Sequence, residues 1–508
     1  MVSASFWWRG HRWTLTFTAL ALALGAAVGV TAEAIVLLPA PAGSRPTFYI
    51  ELFFAAIGAL TLIALAVSRS SVGLPILLGI LSVLPSRTGM QLQISGFLVV
   101  SAADLTILLG VFVLLLHTKI LRRVRLRPLV IARPLWLWLV FGATGLIVAA
   151  ARGVSWTDYV PELKGFYLWI PIAILCVNVI RTPPMLRLLL VATVLAALPN
   201  VLSSIHSVQT GSDVLPTTLP DGEIVYRSSG GAGLINQFAF YMMVVFFLAL
   251  GLGMAARRWS ARLLFYGCAG SLLVGIYLTY TRGAWLALAI GVLVIAAAGG
   301  RRVLAATTVL GLVAYVLFFP LVQNRLTFSD HSIATRVSLT ETATTALRAN
   351  PLLGGGWGSN YYLYGNVLVP LFDQNDLPFW HDDYLIVATQ VGLPGLAVFL
   401  SIWVTLLWNL LRAHRRAPPG PLRAYLLALL AALAAILAQA TTDMFFWRAE
   451  TGPLIWLIAG FACAAINIVD DQAHSSRPHH LSHPLRSRLV HATAGVGRAA
   501  APQGDMAR

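Results

Sequence analysis

The C-terminal half of the chain carries side chains suited to holding a phosphate or moving a proton. Arg282 stands in Tyr280-Thr281-Arg282-Gly283-Ala284-Trp285, a short turn between two apolar runs. An arginine there is either a snorkelling interfacial residue beside aromatic anchors or a phosphate ligand, with Gly283 allowing close approach. Arg336, in Ser332-Ile333-Ala334-Thr335-Arg336-Val337-Ser338-Leu339, is either a solvated residue or a second phosphate ligand. Two guanidinium groups match the oxygens of a diphosphate in a bidentate way. His381 follows Phe379-Trp380 and opens an apolar run. It is either a structural interfacial residue or a group that takes a proton near neutral pH. Asp382 and Asp383 come next; they favour a helix N-terminus through its dipole, orient the imidazole or bind a cation. Two adjacent aspartates are weak evidence for a metal. Asn236-Gln237 at the head of another run, and Asp104 within one, are polar groups in costly places. Asp104 can pair with an arginine that the sequence does not identify.

These residues cluster around one segment, Leu321 to Trp380, a polar, Gly- and Arg-bearing stretch between two apolar runs. It contains Pro351-Leu352-Leu353-Gly354-Gly355-Gly356-Trp357-Gly358 and ends just before His381-Asp382-Asp383-Tyr384. A connection of that length is functional or disordered, and its Trp, Tyr, Leu and Phe content argues against disorder. It reads as an active-site or binding element over the mouth of a helical bundle. Within it, Ile333, Val337, Thr340 and Thr344 fall on one helical stripe with Leu339 and Ala343 beside it. Pro351 follows the end of this pattern. The expectation is an amphipathic helix on the outer membrane surface.

What must position these residues is membrane. Hydrophobic residues make up 58% of the chain and charged residues 11%, with a mean hydropathy of +0.80. Such a composition excludes a soluble domain. Apolar runs lie near 13–38, 47–67, 96–117, 135–151, 166–180, 185–205, 234–255, 263–279, 284–299, 303–320, 383–411, 424–440 and 453–469, with a shorter, partly broken one at 72–84. The fold class is an all-α polytopic transmembrane bundle of about 12–14 spans, and fourteen crossings keep the charge alternation consistent. The net charge of +16 is not a nucleic-acid footprint, because the basic residues sit in short clusters in alternate connectors. Those clusters, Arg257, Arg258 and Arg262 among them, mark the cytoplasmic side. The opposite side collects most acidic residues, including Asp158, Glu162, Asp443 and Glu450, and the loops 206–233 and 321–380. Trp13 to Leu38 reads as a retained first helix rather than a cleaved signal. Cys176, Cys268 and Cys463 lie in apolar runs and suggest neither a disulfide nor a metal framework. The chain divides into N-terminal helices (1–233), a region bearing the outer loop (234–400), C-terminal helices (401–469) and a disordered cytoplasmic tail (470–508).

Taken in order, Asn236, the Tyr280-Thr281-Arg282-Gly283 turn, the helix bearing Arg336, Asn350-Pro351-Leu352-Leu353-Gly354-Gly355-Gly356-Trp357-Gly358, His381-Asp382-Asp383-Tyr384-Leu385 and Gly392-Leu393-Pro394-Gly395-Leu396 resemble the O-antigen ligase and O-antigen polymerase family of bacterial envelope enzymes. The N-terminal half matches only in hydropathy. The resemblance implies glycan transfer at the outer face of the bacterial cytoplasmic membrane. The donor would be a glycan on undecaprenyl diphosphate, and the acceptor a hydroxyl of a lipid, glycan or protein. It implies that Arg282 and Arg336 hold the diphosphate and that His381 assists the acceptor hydroxyl. Asn236, Trp357, Asp382, Asp383 and Tyr384 are then candidate substrate contacts. The family's histidine is usually followed by asparagine, where this chain has Asp382.

The chemistry is coherent without the family. No ATP is available outside, so bond energy arrives with the donor, and diphosphate is a good leaving group. Fixed cations stabilise its developing charge, and two membrane-held reactants gain from juxtaposition. The scheme is an inverting transfer that calls for no metal and no cofactor. A lipid-linked glycan flippase or exporter is the main alternative, but would place ionisable residues along a central cavity, often in two repeated halves. A polyprenyl-monophosphate-dependent transferase would, by family pattern, carry acidic residues in its first outer loop, and Pro39 to Thr47 has none. A non-catalytic assembly partner is the third.

Overall fold

The computed structural model describes residues 70–83, 91–93, 99–120, 126–212, 214–218, 224–230, 234–300, 331–360 and 381–475. The runs 13–38, 47–67 and 303–320, the first helix, residues 321–330 and 361–380 of the long loop, and the tail from 476 lie outside them. Among the described residues nine helical stretches are long and apolar enough to cross a membrane, so the chain is a multi-pass, essentially all-α membrane protein.

The helices follow the apolar runs. Helix α1 spans Ser70–Val83 and α2 Ala102–Leu115, the latter extended by a π-turn at Leu116–Ile120. Then come α3 (Ala132–Ala151), α4 (Trp156–Tyr167), α5 (Ile170–Val179), α6 (Pro183–Thr210), α7 (Ile235–Ala255), α8 (Trp259–Leu278) and α9 (Arg282–Gly299). The C-terminal part supplies α10 (His331–Ala349), α11 (Asp383–Arg416), α12 (Pro421–Gln439) and α13 (Gly452–Ser475). Helices α7 and α13 are the most enclosed, with 83% and 94% of their apolar windows buried, against 28% for α3 and α9. The first two therefore form the core and the last two form its rim. Helix α7 packs against α8 and α12, α13 against α5, and α11 against α3.

Several expectations are corrected. The chain is not purely helical, since two small antiparallel hairpins interrupt it. Strand β1 (Gln91–Gln93) pairs with β2 (Val99–Ser101), and β3 (Val214–Thr218) with β4 (Ile224–Ser228). The 96–117 run is thus split between a strand and a helix too short to span, because the strand consumes its first residues. The described part of α1 is 14 residues long with Pro75 inside, in keeping with a short, partly broken run. The connector before the 166–180 run is itself helical: Ser155 caps α4 by accepting from the Thr157 N–H. Asp104 pairs with a lysine rather than an arginine. Its carboxylate meets Lys164 Nζ at 2.6 Å and accepts from Trp169 Nε1 at 3.0 Å. Helix α13 runs on to Ser475, where Asp471 meets Arg127 at 2.9 Å, so the first tail residues are helical.

The amphipathic helix α10 ends where Pro351 predicts, but turns a different face inward. Val337 is 53% exposed, whereas Leu339 and Ala343, one turn apart, are buried; the helix packs on α11. Four of its threonines, Thr340, Thr342, Thr344 and Thr345, satisfy their own hydroxyl on a carbonyl one turn back, as Thr340 does on Arg336 O at 2.8 Å and Thr344 on Thr340 O at 2.7 Å. Self-satisfied hydroxyls do not compete for the packed side, which falls to Leu339 and Ala343.

The glycine run is spliced into a break in α11. At Gly392 the backbone turns to φ 74°, outside helical space. The carbonyls of Thr389 and Gln390 then accept from the N–H groups of Gly355 (2.7 Å) and Gly356 (2.9 Å), while Leu393 N–H donates to Pro351 O at 2.8 Å. The run must be glycine for steric reasons. Gly354 sits at φ 66°, and a Cβ there would lie 2.4 Å from the Gln390 backbone. The run thus anchors the loop that carries α10 to α11, the helix that follows His381.

Candidate active site

The site forms at one end of the bundle, where α7, α9, α11 and α13 begin and α8 and α12 end. Its organiser is the connector between α12 and α13, residues 440–451. At the head of α11, Asp382 is the N-cap, accepting from Tyr384 N–H at 2.8 Å and Leu385 N–H at 3.0 Å. Burial pushes the Asp382 carboxyl up, against the opposing effect of those two N–H groups. Asp383 is fully buried and accepts from the N–H groups of Phe445 (2.7 Å) and Phe446 (3.3 Å). Its own N–H donates to Ala440 O at 3.0 Å. Asp383 therefore bolts the connector to α11, while Asp382 caps the helix itself. Tyr384 donates its hydroxyl to Leu437 O at 2.7 Å, tying α11 to the last turn of α12.

This bolting holds His381 in place. Its φ of 47° lies in the left-handed region, uncommon for a residue with a Cβ. Tyr280, beside the Thr281-Arg282 turn, has φ 51°. Such backbone costs about 1–3 kcal/mol and persists where surrounding contacts enforce it. His381 Nδ1 lies 3.0 Å from Asp443 Oδ1. The imidazole is 29% exposed and the carboxylate only 5%, so one partner faces open space and the other is sealed.

Asp443 accepts on both oxygens. Met444 N–H donates to Oδ1 at 2.9 Å, and Asn236 Nδ2 donates to Oδ2 at 2.5 Å. Asn236 is oriented in turn, because Thr281 Oγ1 (3.2 Å) and Arg227 Nη2 (3.4 Å) donate to its Oδ1. Arg227, on β4, also donates through Nε to Thr279 O at 2.8 Å. Burial alone pushes the Asp443 carboxyl up. The hydrogen bond and charge of His381, the charge of Arg336 and the Met444 N–H outweigh it and hold Asp443 below the ordinary carboxylate range. An ionised Asp443 only accepts, so His381 presents N–H at Nδ1 and leaves Nε2 as the atom able to take a proton.

Arg336 and the turn that holds Arg282 meet the same connector one residue earlier. Arg336 Nη1 donates to Thr442 O at 2.5 Å. The turn holding Arg282 also abuts Thr442: a Cβ on Gly283 would lie 2.4 Å from Thr442 Oγ1. Thr442 and Asp443 thus bring together the Arg282 turn, Arg336, Asn236 and His381. Trp357 is placed elsewhere, fully buried, its indole donating to Gly142 O at 2.9 Å beside Trp138, Phe166 and Tyr167. Sequence reasoning counted Asp443 only as an outer acidic residue and passed over Arg227. The signal for Asp443 was its place in a short connector between two deeply apolar helices. For Arg227 it was the lone arginine in the otherwise acidic outer loop 206–233.

Fold and site together define a helical membrane protein with a histidine–carboxylate pair and guanidinium groups gathered at one end of its bundle. Residues 267–400 match the family model described as O-Antigen ligase, so the chain carries a domain of that family over part of its length. No curated protein matches the chain. The matched segment contains Arg282, Arg336 and His381 but ends before Asp443 and begins after Arg227 and Asn236.

Proposed function

We propose that the protein transfers a glycan from undecaprenyl diphosphate to an acceptor hydroxyl at the extracytoplasmic face of the membrane, inverting the anomeric carbon. The observation that carries this reading is the single connector on which a histidine–aspartate pair and Arg336 converge. The acceptor oxygen attacks the anomeric carbon from the face opposite the diphosphate. The new C–O bond forms as the bond from that carbon to the diphosphate oxygen breaks, and the electron pair leaves with the diphosphate. His381 Nε2 takes the acceptor proton. Asp443 holds the imidazole through Nδ1 and stabilises the imidazolium that results. Arg282 and Arg336 hold the diphosphate, whose charge grows as it leaves. Carboxylates committed to backbone N–H groups, Asp382 and Asp383, serve as scaffold rather than reactants.

The test is turnover of a defined undecaprenyl-diphosphate-linked glycan by the purified protein in the presence of acceptor. His381→Ala is expected to lower the rate by about a hundred- to ten-thousandfold, the usual general-base contribution, while donor lipid still binds. A loss of only about twofold would assign His381 a structural role. Transport of the intact lipid-linked glycan across vesicles with no new glycosidic bond would favour the exporter reading.

A further inference from the structure

The opposite end of the bundle holds a second feature. A cavity of about 1020 Å³ opens between the starts of α6, α8 and α12 and the end of α7, lined by Arg187, Arg257, Arg258 and Tyr425. Among the described residues none of these three arginines is ion-paired. Tyr425, 2% exposed, lines the same cavity and adds a phenol donor to it. The dipoles of three helix N-termini add to the positive field. The one helix end of opposite sign, that of α7, is partly covered, because Arg262 Nη2 donates to Ala256 O at 3.1 Å. The remaining wall is apolar, with Leu188, Val191 and Leu264. Beside it Trp259, Leu263 and Leu264 are 71%, 60% and 59% exposed, as expected of side chains that face lipid.

We infer that this cavity binds the phosphate head group of an anionic phospholipid, with the acyl chains running along Leu188, Val191 and Leu264. The arginines and the Tyr425 hydroxyl supply donors to the phosphate oxygens, and the apolar wall gives a free anion nothing to bury. Basic pockets between transmembrane helices are established binding places for such head groups. This site lies at the opposite end of the bundle from His381 and does not depend on the reaction proposed above.

Native mass spectrometry of the full-length protein, titrated with phosphatidylglycerol or phosphatidylcholine, tests the inference. Phosphatidylglycerol should bind at least about tenfold more tightly, or about 1.4 kcal/mol. The triple variant Arg187→Gln, Arg257→Gln, Arg258→Gln should bind both lipids alike, and Tyr425→Phe should weaken phosphatidylglycerol several-fold. All three arginines are exposed, so the triple variant should fold. If it does not, Arg257→Gln and Tyr425→Phe singly give the same reading. Equal binding of the two lipids by the unaltered protein, or a preference that survives these substitutions, would overturn the assignment. Displacement of phosphatidylglycerol by inorganic phosphate at comparable concentration would overturn it too, showing a free-anion site.

Discussion

Arg336 illustrates how a charge becomes specific. Its guanidinium is already committed at one nitrogen to Thr442 O, so its plane is oriented before a ligand arrives. Lysine keeps the charge but not the fork. Arg336→Lys and Arg282→Lys are each expected to lower kcat/KM by at least about tenfold, roughly 1.4 kcal/mol of transition-state stabilisation, with expression unchanged; full activity in both would remove the clamp. Asp443 is the other decisive side chain. Substituting asparagine sets an amide against the Asn236 amide, which Thr281 and Arg227 hold with its donor facing Asp443. Because the folded carboxyl sits below its ordinary range, its stabilising contribution is complete above the unfolded carboxylate value and is lost as pH falls through the folded one. The melting-temperature gap between the unaltered protein and Asp443→Asn should therefore be widest near neutral pH and narrow in strong acid. A gap that widens on acidification would contradict the ionised pair.

The break in α11 and the glycine run that fills it act as one device. Helix α11 alone would leave the Thr389 and Gln390 carbonyls without partners at Gly392, and the glycine run alone would have no ladder to join. Gly354→Ala forces a Cβ against the Gln390 backbone at positive φ, at a cost of roughly 1–3 kcal/mol for overpacking plus about 1–2 kcal/mol for the left-handed conformation. Its melting temperature and yield should fall sharply. Trp357→Phe should cost about 1–3 kcal/mol, by losing the indole hydrogen bond to Gly142 O and leaving a void among the packed aromatic rings, while kcat/KM of the folded fraction stays within about twofold. A large rise in KM would instead bring Trp357 into the substrate site. These motifs were legible as Gly-, Trp- and Pro-bearing sequence, but their purpose was not. Glycine spacing reports backbone freedom, and only the folded chain shows which carbonyls it reaches. The inward face of α10 was hidden for a related reason: Thr340 and Thr344, which bond to their own helix, look by pattern alone like part of a packed stripe.

The nine described spans agree with apolar runs read directly from composition, because in hydrocarbon every backbone group must be satisfied within its own helix. Short elements escaped that logic. Strand β2 and the helical connector α4 depend on local pairing and capping that hydropathy does not register. Arg282, Arg336 and His381 stood out because each sits at the edge of an apolar run, whereas Asp443 lies 62 residues beyond His381 and is joined to it only by packing. Orientation remains open to direct measurement. Cysteines placed singly at Thr345, on α10, and Pro418, between α11 and α12, both exposed, should differ in labelling by an impermeant thiol reagent in intact cells. Thr345→Cys should react and Pro418→Cys should be protected. The native cysteines are all buried and should contribute little background. The reverse pattern would place the histidine in the cytoplasm. The link between Ala417 and Gly420 has a further consequence. His381 and Asp443 stand on opposite sides of that link, so under the proposed mechanism a chain severed there yields two inert pieces, one holding His381 and both arginines, the other Asp443. Because α12 and α13 are seated by extensive apolar packing, the pieces should reassemble in the bilayer, and the peptide bond at this bend becomes dispensable to the chemistry. The protein is in that sense two partners that happen to share one gene.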